Sequence, residues 1–317
     1  MVPPPPAVAG ASTSTPVTSN PAPAPANATR LPTDGQPCGP LRCRHFASVP
    51  DALQVVLATE PLVLGVGEAH AQKGTEGIAS STHRFTEGIV PLLRDRASDL
   101  VIELTVGQNQ CRPAVEKTEE ATKSVTQSQA STNKSEFVVL GERAQAEGLR
   151  PHVLRPSCAD FDRIARAPAG ADRVVAMLTL IADQSASLLR KILARNVRTG
   201  RPDALVLAYG GALHNDLAPD EGKEAWSFGP AMARHTEGRF VELDLFVPEY
   251  IRDTPSWRAM PWHEHYDGDS TPPGAVTLFQ PGERSFVLIF ARSTFADRAG
   301  EGREADGHGD GGPARED

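Results

Sequence analysis

LVLGVGEAH, residues 62–70, is an apolar stretch that ends on a glutamate and a histidine. Such a run of Leu and Val is typical of a strand buried inside a sheet, where an ionisable side chain is costly unless it is paired. Further along the chain, LVLAYGGALH (205–214) repeats the pattern and ends on His214. Between the two, LVIEL (100–104) carries Glu103 in a third apolar run. We therefore predict three core strands that each end close to an ionisable side chain.

Segments with helical periodicity separate these strands. A short helix is predicted after Ser48, a second from Ser81, and a long one over about 171–199. Further strands are predicted at 151–156, at 239–246 nearer the sheet edge, and in an antiparallel hairpin at 275–291. This alternation predicts an α/β fold whose central mixed sheet is mainly parallel in its middle, with an antiparallel C-terminal hairpin and helices on both faces.

The two ends of the 317-residue chain differ in composition from its middle. Residues 1–44 are rich in Pro, Ala, Ser and Thr, and residues 294–317 are charged and rich in Gly. Segments of this kind bury too little apolar surface to fold. We predict a disordered tether, an α/β domain over 45–293 and a disordered acidic tail. The polar residues 105–135 predict an exposed, partly helical insertion in the domain.

Charge and patterning restrict the partners and the location. The net charge of −8 includes no basic stripe, which argues against nucleic acid as a partner. The sequence has neither a spanning apolar segment nor a signal peptide. A Pro-rich tether nevertheless commonly follows a lipid anchor or signal sequence in bacterial envelope proteins. We expect an envelope or secreted protein whose membrane anchor precedes Met1, or a cytoplasmic protein if Met1 is the true start; the oligomeric state is left open.

Four cysteines form an even set. Cys38 and Cys43 flank the turn-forming GPLR, and Cys111 and Cys158 each follow a predicted strand. One interpretation is two disulfides formed in an oxidising compartment, and the other is four free thiols in the cytosol.

Gly-x-x-His occurs at the end of two of the core strands, as GEAH (67–70) and GALH (211–214). Ligands of parallel sheets gather at the carboxyl ends of the strands, so we expect Glu68, His70, Glu103 and His214 to lie at one edge. Each has an ordinary structural explanation when taken alone, for example a salt bridge between Glu103 and Arg155. Together they predict a functional site.

GEAH with a downstream His83–Arg84, a strand that carries Glu103, and AYGGALH resemble the superfamily of Tiki/TraB, ChaN-like haem-binding and erythromycin-esterase proteins. The motifs are most similar to those of ChaN-like bacterial proteins, and the resemblance covers about residues 60–215. It implies an α/β fold of that type. The insertion at 105–135 has no assigned role in this pattern.

The resemblance implies three alternatives for the site. Tiki-type members imply metal-dependent peptide hydrolysis, with His70, Glu103 and His214 as ligands of Zn, Mn or Co. Esterase-type members imply that Glu68 and His70 activate water. ChaN-like members imply haem binding near His83, for which Tyr266 is a candidate iron ligand.

We therefore predict a hydrolase that acts on an ester or peptide bond of a small molecule or peptide. Glu68, His70 and Glu103 are the candidate catalytic residues, and Arg84 is expected to bind an anionic group or an oxyanion. A haem- or iron-binding envelope protein without turnover is the alternative, and a scaffold that has lost its activity is a third. The loop PWHEHYDGD (261–269) is a competing candidate for metal binding. No GxSxG motif supports serine catalysis.

Overall fold

The apolar run that opens at residue 62 forms a strand in the interior of the sheet. The computed structural model describes residues 32–75 and 77–294, which belong to one compact unit. In it, Val63–Glu68 (β3) is buried at every residue and pairs in parallel with both of its neighbours. These neighbours are Leu205–Gly211 (β6) and Phe240–Phe246 (β7).

The described residues form a nine-stranded sheet in the order β1-β2-β8-β9-β7-β3-β6-β4-β5. Its other strands are Gln36–Gly39 (β1), Cys43–Phe46 (β2), Ala97–Thr105 (β4), Arg150–Leu154 (β5), Val276–Gly282 (β8) and Ser285–Ile289 (β9). The strands from β9 to β5 are parallel, whereas β1, β2 and β8 are joined by antiparallel pairing. The predicted α/β class, parallel centre and antiparallel hairpin are confirmed.

Helices cover both faces of the sheet, as predicted. Their bounds are Val49–Leu57 (α1), Ser81–Gly88 (α2), Arg112–Thr126 (α3), Asn133–Ala146 (α4), Cys158–Arg166 (α5), Ala171–Arg198 (α6), Gly229–His235 (α7) and Pro255–Arg258 (α8). Helices α1, α2 and α4 pack on the face that carries Leu64 and Tyr209, which we call face A. Helices α6 and α7 pack on the opposite face, face B, which carries Val63 and Val206.

The first helix begins at its predicted cap, and the second ends earlier than its apolar stripe indicated. Ser48 caps α1 by accepting a hydrogen bond from Asp51 N, and Ser80 caps α2 by accepting one from His83 N. Helix α2 stops at Gly88 and continues as the 3-10 turn Val90–Leu93, because Pro91 cannot donate the next helical hydrogen bond. The long predicted helix is present as α6.

Two features differ from the predicted arrangement. Strand β7 lies in the middle of the sheet and not near its edge, since β3 and β9 flank it. Its alternating sequence misled the prediction because Glu242 and Asp244 lie on face B, within the protein. Residues 36–46 also form a hairpin in the sheet, so disorder is wrong for the end of the predicted tether. Residues 1–31 and 295–317 lie outside the described residues, and disorder there stays a prediction.

The predicted insertion contains α3 and the start of α4, in keeping with its expected helical content. The following helix, α5, was not predicted. A disulfide between Cys111 and Cys158, with Cα atoms 4.8 Å apart, joins the starts of α3 and α5. A second disulfide joins Cys38 to Cys43 in the β1–β2 hairpin. Both pairs are those that the sequence offered. Of the described helices, none combines the length and apolar character needed to span a bilayer.

Candidate active site

Two carboxylate–imidazole pairs meet at the carboxyl edge of β3, β4 and β6. Glu68 is in register with Gly211, and Ile102, the residue before Glu103, is in register with Tyr209. Side chains alternate along a strand, so Glu68 lies on face A and Glu103 on face B. The His70 ring lies between them, because a Cβ atom added to Gly211 would sit 3.3 Å from His70 Nε2 and 3.6 Å from Glu103 Oε2. The predicted convergence is present.

Glu68 is buried, and both of its carboxylate oxygens are bound. Oε1 accepts a hydrogen bond from His70 Nδ1 at 2.8 Å. Oε2 accepts one from the Thr82 hydroxyl at 2.9 Å and one from the Tyr209 hydroxyl at 2.8 Å. Tyr209 in turn stacks on Phe85, with ring centroids 4.6 Å apart. The carboxylate is therefore fixed in one orientation, in which it holds the Nδ1–H of His70.

His70 is oriented at one nitrogen and unbound at the other. Its ring packs edge-on against Phe137 of α4, and its side chain keeps 21% of its surface exposed. Burial lowers the pKa of His70, but the hydrogen bond and charge of Glu68, together with the charge of Glu103, raise it to about 9. No described residue bonds to Nε2, which is therefore the nitrogen left for proton transfer.

Glu103 and His214 form the second pair. Glu103 Oε2 accepts a hydrogen bond from Gly211 N at 2.6 Å, and Oε1 lies 3.4 Å from His214 Nε2. Burial raises the pKa of Glu103, but the interactions with His214, the charge of His70 and the Gly211 N–H outweigh it and lower the pKa to about 2. The expected partner Arg155 is exposed, so His214 replaces it.

His214 is buried and engaged at both nitrogens. Its Nδ1 donates to the Trp226 carbonyl at 2.8 Å, which leaves Nε2 to face Glu103. Burial lowers the pKa of His214, but the charge and hydrogen bond of Glu103 and the Trp226 carbonyl raise it overall. Glu103 and His214 line a cavity of about 10 Å³ with Ser185 of α6, which is room for one water molecule.

The glycines at this edge are needed for close packing. A Cβ atom on Gly210 would collide with the Glu103 carboxylate, and one on Gly67 would collide with Asp244. These positions therefore bring backbone and carboxylates into contact.

The proposed metal ligands do not form a coordination set in this arrangement. Among residues 32–75 and 77–294, no group of three or more His, Cys, Asp or Glu side chains is placed to hold a metal ion. Nδ1 of His70 is bound to Glu68, and both nitrogens of His214 are bound. The loop at 261–269 provides no such group either. His70, Glu103 and His214 instead form hydrogen bonds and ion pairs.

The haem candidates lie apart. His83 is exposed on α2, which covers face A. Tyr266 packs against Trp262, in an apolar cluster that contains Phe246 of face B. No hydrogen bond or ring contact joins His83 to Tyr266 in the described part of the chain, and haem binding stays a prediction.

Arg84 is bound by the loop before α2 and by the segment that follows β9. Its guanidinium donates to the carbonyls of Ala79 and Ala291 and to the hydroxyl of Ser293, and it lies over the Phe290 ring. These contacts tie α2 to the segment that follows β9. The expectation that Arg84 binds a substrate anion or an oxyanion stays a prediction.

Three residues that contact Glu68 or His70 were not predicted from the sequence: Thr82, Tyr209 and Phe137. For Tyr209 a signal was present, because a tyrosine inside a buried apolar strand needs a partner for its hydroxyl. Thr82 and Phe137 sit on helices whose packing against β3 and β6 is set by the tertiary fold.

No protein-family model matches the chain, and no curated protein matches it. Among solved structures, it is similar to the type III effector HopBA1 (12% identity, TM-score 0.39, covering 76% of this chain and 94% of that one). It is also similar to a mutant of erythromycin esterase EreC in its open conformation (10% identity, TM-score 0.37, 76% and 94%). A succinoglycan biosynthesis protein follows at 7% identity and a TM-score of 0.28, covering 62% of this chain and 69% of that one. Likenesses at these scores assign neither family nor activity.

Proposed function

We propose that this protein hydrolyses an ester or peptide bond, with His70 as the proton-transfer group. The observation that carries the proposal is the Glu68–His70 pair. Glu68 has its second oxygen bound by Thr82 and Tyr209, so its remaining role is to hold the Nδ1–H of His70. A carboxylate that fixes an imidazole in this way leaves Nε2 free to accept a proton from water and return it to the leaving group.

The second pair, Glu103 and His214, supplies a negative charge that stabilises the protonated His70 formed in this step. Proton transfer from water to Nε2 creates an imidazolium beside Glu103, whose carboxylate stays ionised because its pKa is lowered to about 2. Glu103 is in turn held by Gly211 N and His214. Glu68, Glu103 and His214 therefore act as positioning and electrostatic residues, and His70 is the catalytic residue.

The raised pKa of His70 predicts how the rate of the proposed hydrolysis depends on pH. Only neutral His70 accepts a proton, and its pKa is about 9. We expect kcat/KM to rise about tenfold per pH unit from neutral pH and to level off near pH 9. A profile that is flat from pH 6 to pH 10 contradicts His70 as the general base.

The test compares the purified chain with His70→Asn on a panel of model esters, lactones and peptides. General-base removal should lower kcat/KM about 10²- to 10⁴-fold. His83→Asn is the matched control, since His83 is an exposed histidine of α2 outside the site, and it should retain activity. A His70→Asn variant that is as active as His83→Asn refutes the proposal.

The same preparation distinguishes the alternatives. Activity that chelators abolish and Zn, Mn or Co restores would favour the metal-dependent hydrolase. A Soret band after haem titration, without turnover, would favour haem binding. Intact substrates with neither ligand bound would favour a scaffold without activity.

We also propose that the protein works outside the reducing cytosol. The two disulfides support this location, because disulfides persist in oxidising compartments. Alkylation of thiols in intact cells, followed by a non-reducing gel, tests it: labelled cysteines would place the protein in the cytosol.

A further inference from the structure

A second group of ionisable side chains lies on face B, beside the site. Glu242 and Asp244 are two residues apart on β7 and so face the same side of the sheet. Asp216, in the segment that follows His214, acts on both through its charge. Among the described residues, no Lys, Arg or His side chain forms a hydrogen bond or ion pair with the carboxylates of Asp216, Glu242 or Asp244.

The two strands that flank Asp244 offer no compensating charge. Across the ladder, β3 contributes Gly65 and Gly67, and β9 contributes Ser285 and Val287. None of these four side chains is ionisable. Lys223 acts on Asp216 from a distance, and Asp220 opposes it. Three carboxylates therefore lie close together without a cationic partner, which is unfavourable unless a proton or a cation is bound.

Asn215 shows independently that a hydrogen-bond donor is missing from this region. It is only 2% exposed, and its Nδ2 donates to the Gly65 carbonyl at 3.1 Å and to Asp244 Oδ1 at 3.2 Å. These two acceptors fix the orientation of the amide. Its Oδ1 is buried and has no partner. A buried acceptor without a donor costs about 1–3 kcal/mol.

The unpartnered oxygen of Asn215 and the Asp244 carboxylate both lie beside Gly67. A Cβ atom added to Gly67 would lie 2.6 Å from Asn215 Oδ1 and would also collide with Asp244 Oδ1. The two oxygens therefore flank the same point. Two acceptors side by side repel each other, whereas a carboxylic acid beside an amide oxygen makes a good hydrogen bond.

We propose that Asp244 is held in its protonated form and donates its O–H to Asn215 Oδ1, so that a buried proton ties the segment after His214 to β7. The proton comes from solvent, and no other group changes its bonding. It supplies the missing donor and removes one of the three negative charges. Asp244 and Asn215 are then positioning residues for the chain that carries His214.

The electrostatics agree with this assignment. Burial raises the pKa of Asp244 to about 7, with the Asn215 hydrogen bond opposing and the Asp216 charge adding to the rise. Burial and the charges of Asp244 and Asp216 also raise the pKa of Glu242. Protonation of Asp244 should therefore stabilise the fold most at low pH, and this stabilisation should be lost as pH rises from about 4 to 7.

The experiment uses the whole chain and needs no activity, so its outcome is independent of the proposed hydrolysis. In Asp244→Asn, the amide can donate to Asn215 Oδ1 at any pH. We expect wild type and variant to melt alike at pH 5 and the variant to melt about 5 °C or more higher at pH 8. Asp183→Asn, the same exchange at an exposed position of α6, should follow wild type at both values.

A measurement on the wild-type chain keeps the test decisive if the variant does not fold. Carbon-13 NMR of labelled aspartate should show one buried carboxyl that titrates near pH 7. The proposal is overturned if every aspartate titrates below about pH 5, or if wild type and Asp244→Asn melt in parallel across the range. Stabilisation of wild type by Na⁺, K⁺, Mg²⁺ or Ca²⁺ at pH 8 that Asp244→Asn abolishes would also overturn it, since a cation would then occupy the place of the proton.

Discussion

Replacing Glu68 by glutamine should change the charge state of His70 with little change in shape. The glutamine side chain keeps an oxygen that can accept the His70 Nδ1–H. Its amide group then faces the hydroxyls of Thr82 and Tyr209, whose oxygens can accept hydrogen bonds. The substitution therefore removes a negative charge from the pair and leaves most of its hydrogen bonds possible.

The expected size of the effect follows from the groups around His70. Its pKa is raised from 6.5 to about 9 although burial lowers it. At 1.36 kcal/mol per pKa unit, this difference favours the imidazolium by ~3 kcal/mol. Glu68 supplies the hydrogen bond and the larger of the two charge interactions. In Glu68→Gln burial is opposed mainly by Glu103, and we expect the pKa of His70 to fall to 6.5 or below.

Stability should report the same change. The folded-state pKa of His70 lies above its ordinary value, so the charged ring stabilises the fold below pH 6.5. That contribution is lost as the pH rises through about 9. Wild type should therefore lose up to ~3 kcal/mol of unfolding free energy over this window, and Glu68→Gln should not.

The assay is an NMR titration of the histidine ring protons, with urea denaturation at pH 6 and pH 9.5 beside it. The chain has nine histidines, and the missing signal in His70→Asn identifies the resonance of His70. Glu264→Gln removes an exposed carboxylate beside His265 and serves as the control. If the pKa of His70 stays near 9 in Glu68→Gln, Glu68 does not set it and our account of the pair is refuted.

Three further predictions concern the supports of the site. Tyr209→Phe removes a donor to the buried Glu68 carboxylate and should lower the unfolding free energy by about 1.5–3 kcal/mol in urea denaturation; an unchanged midpoint contradicts this. Breaking the 111–158 disulfide, which spans 47 residues, should cost about 4 kcal/mol, against about 2 kcal/mol for the 38–43 disulfide, which spans 5. Equal losses on selective Cys→Ser substitution contradict the loop-entropy account. Arg84→Gln should lower Tm and leave kcat within about twofold of wild type. A large loss of kcat would contradict this and would indicate that Arg84 takes part in the reaction.

The centre of the fold was predictable because parallel strands buried on both faces are continuous apolar runs. Residues 63–68 and 205–211 belong to this class, and their order and direction followed from the helices between them. Strand β7 was not recognised as a central strand, because Glu242 and Asp244 interrupt its apolar sequence. A buried acid and an exposed acid look the same in a sequence, and only the neighbouring strands distinguish them.

Short elements in an atypical composition were not predictable. Strands β1 and β2 have four residues each and contain Pro37 and two cysteines, so they merge with the Pro-rich sequence before them. Their stability comes from two sources. Strand β2 pairs with β8, which is distant in sequence, and the 38–43 disulfide adds a covalent bond. Composition averaged over a window does not contain either contribution.

The position of the site was predictable from the sequence, but its side-chain contacts were less so. Strand ends placed Glu68, His70, Glu103 and His214 at one edge, since that depends only on topology. The direction of a helical side chain depends on packing, and so the contacts of Arg84 with the segment after β9 were not predicted. For the same reason Thr82, which lies two residues before it on α2, was missed although it contacts Glu68.

The two imidazoles of the site have different roles because their second nitrogens differ. Each ring faces one carboxylate, His70 through Nδ1 and His214 through Nε2. The other nitrogen of His214 donates to the Trp226 carbonyl in a buried position, so it cannot give up its proton without losing that hydrogen bond. The other nitrogen of His70 is unbound at the exposed side of the pair. We therefore assign proton transfer in the proposed hydrolysis to His70, whereas the interaction with His214 lowers the pKa of Glu103.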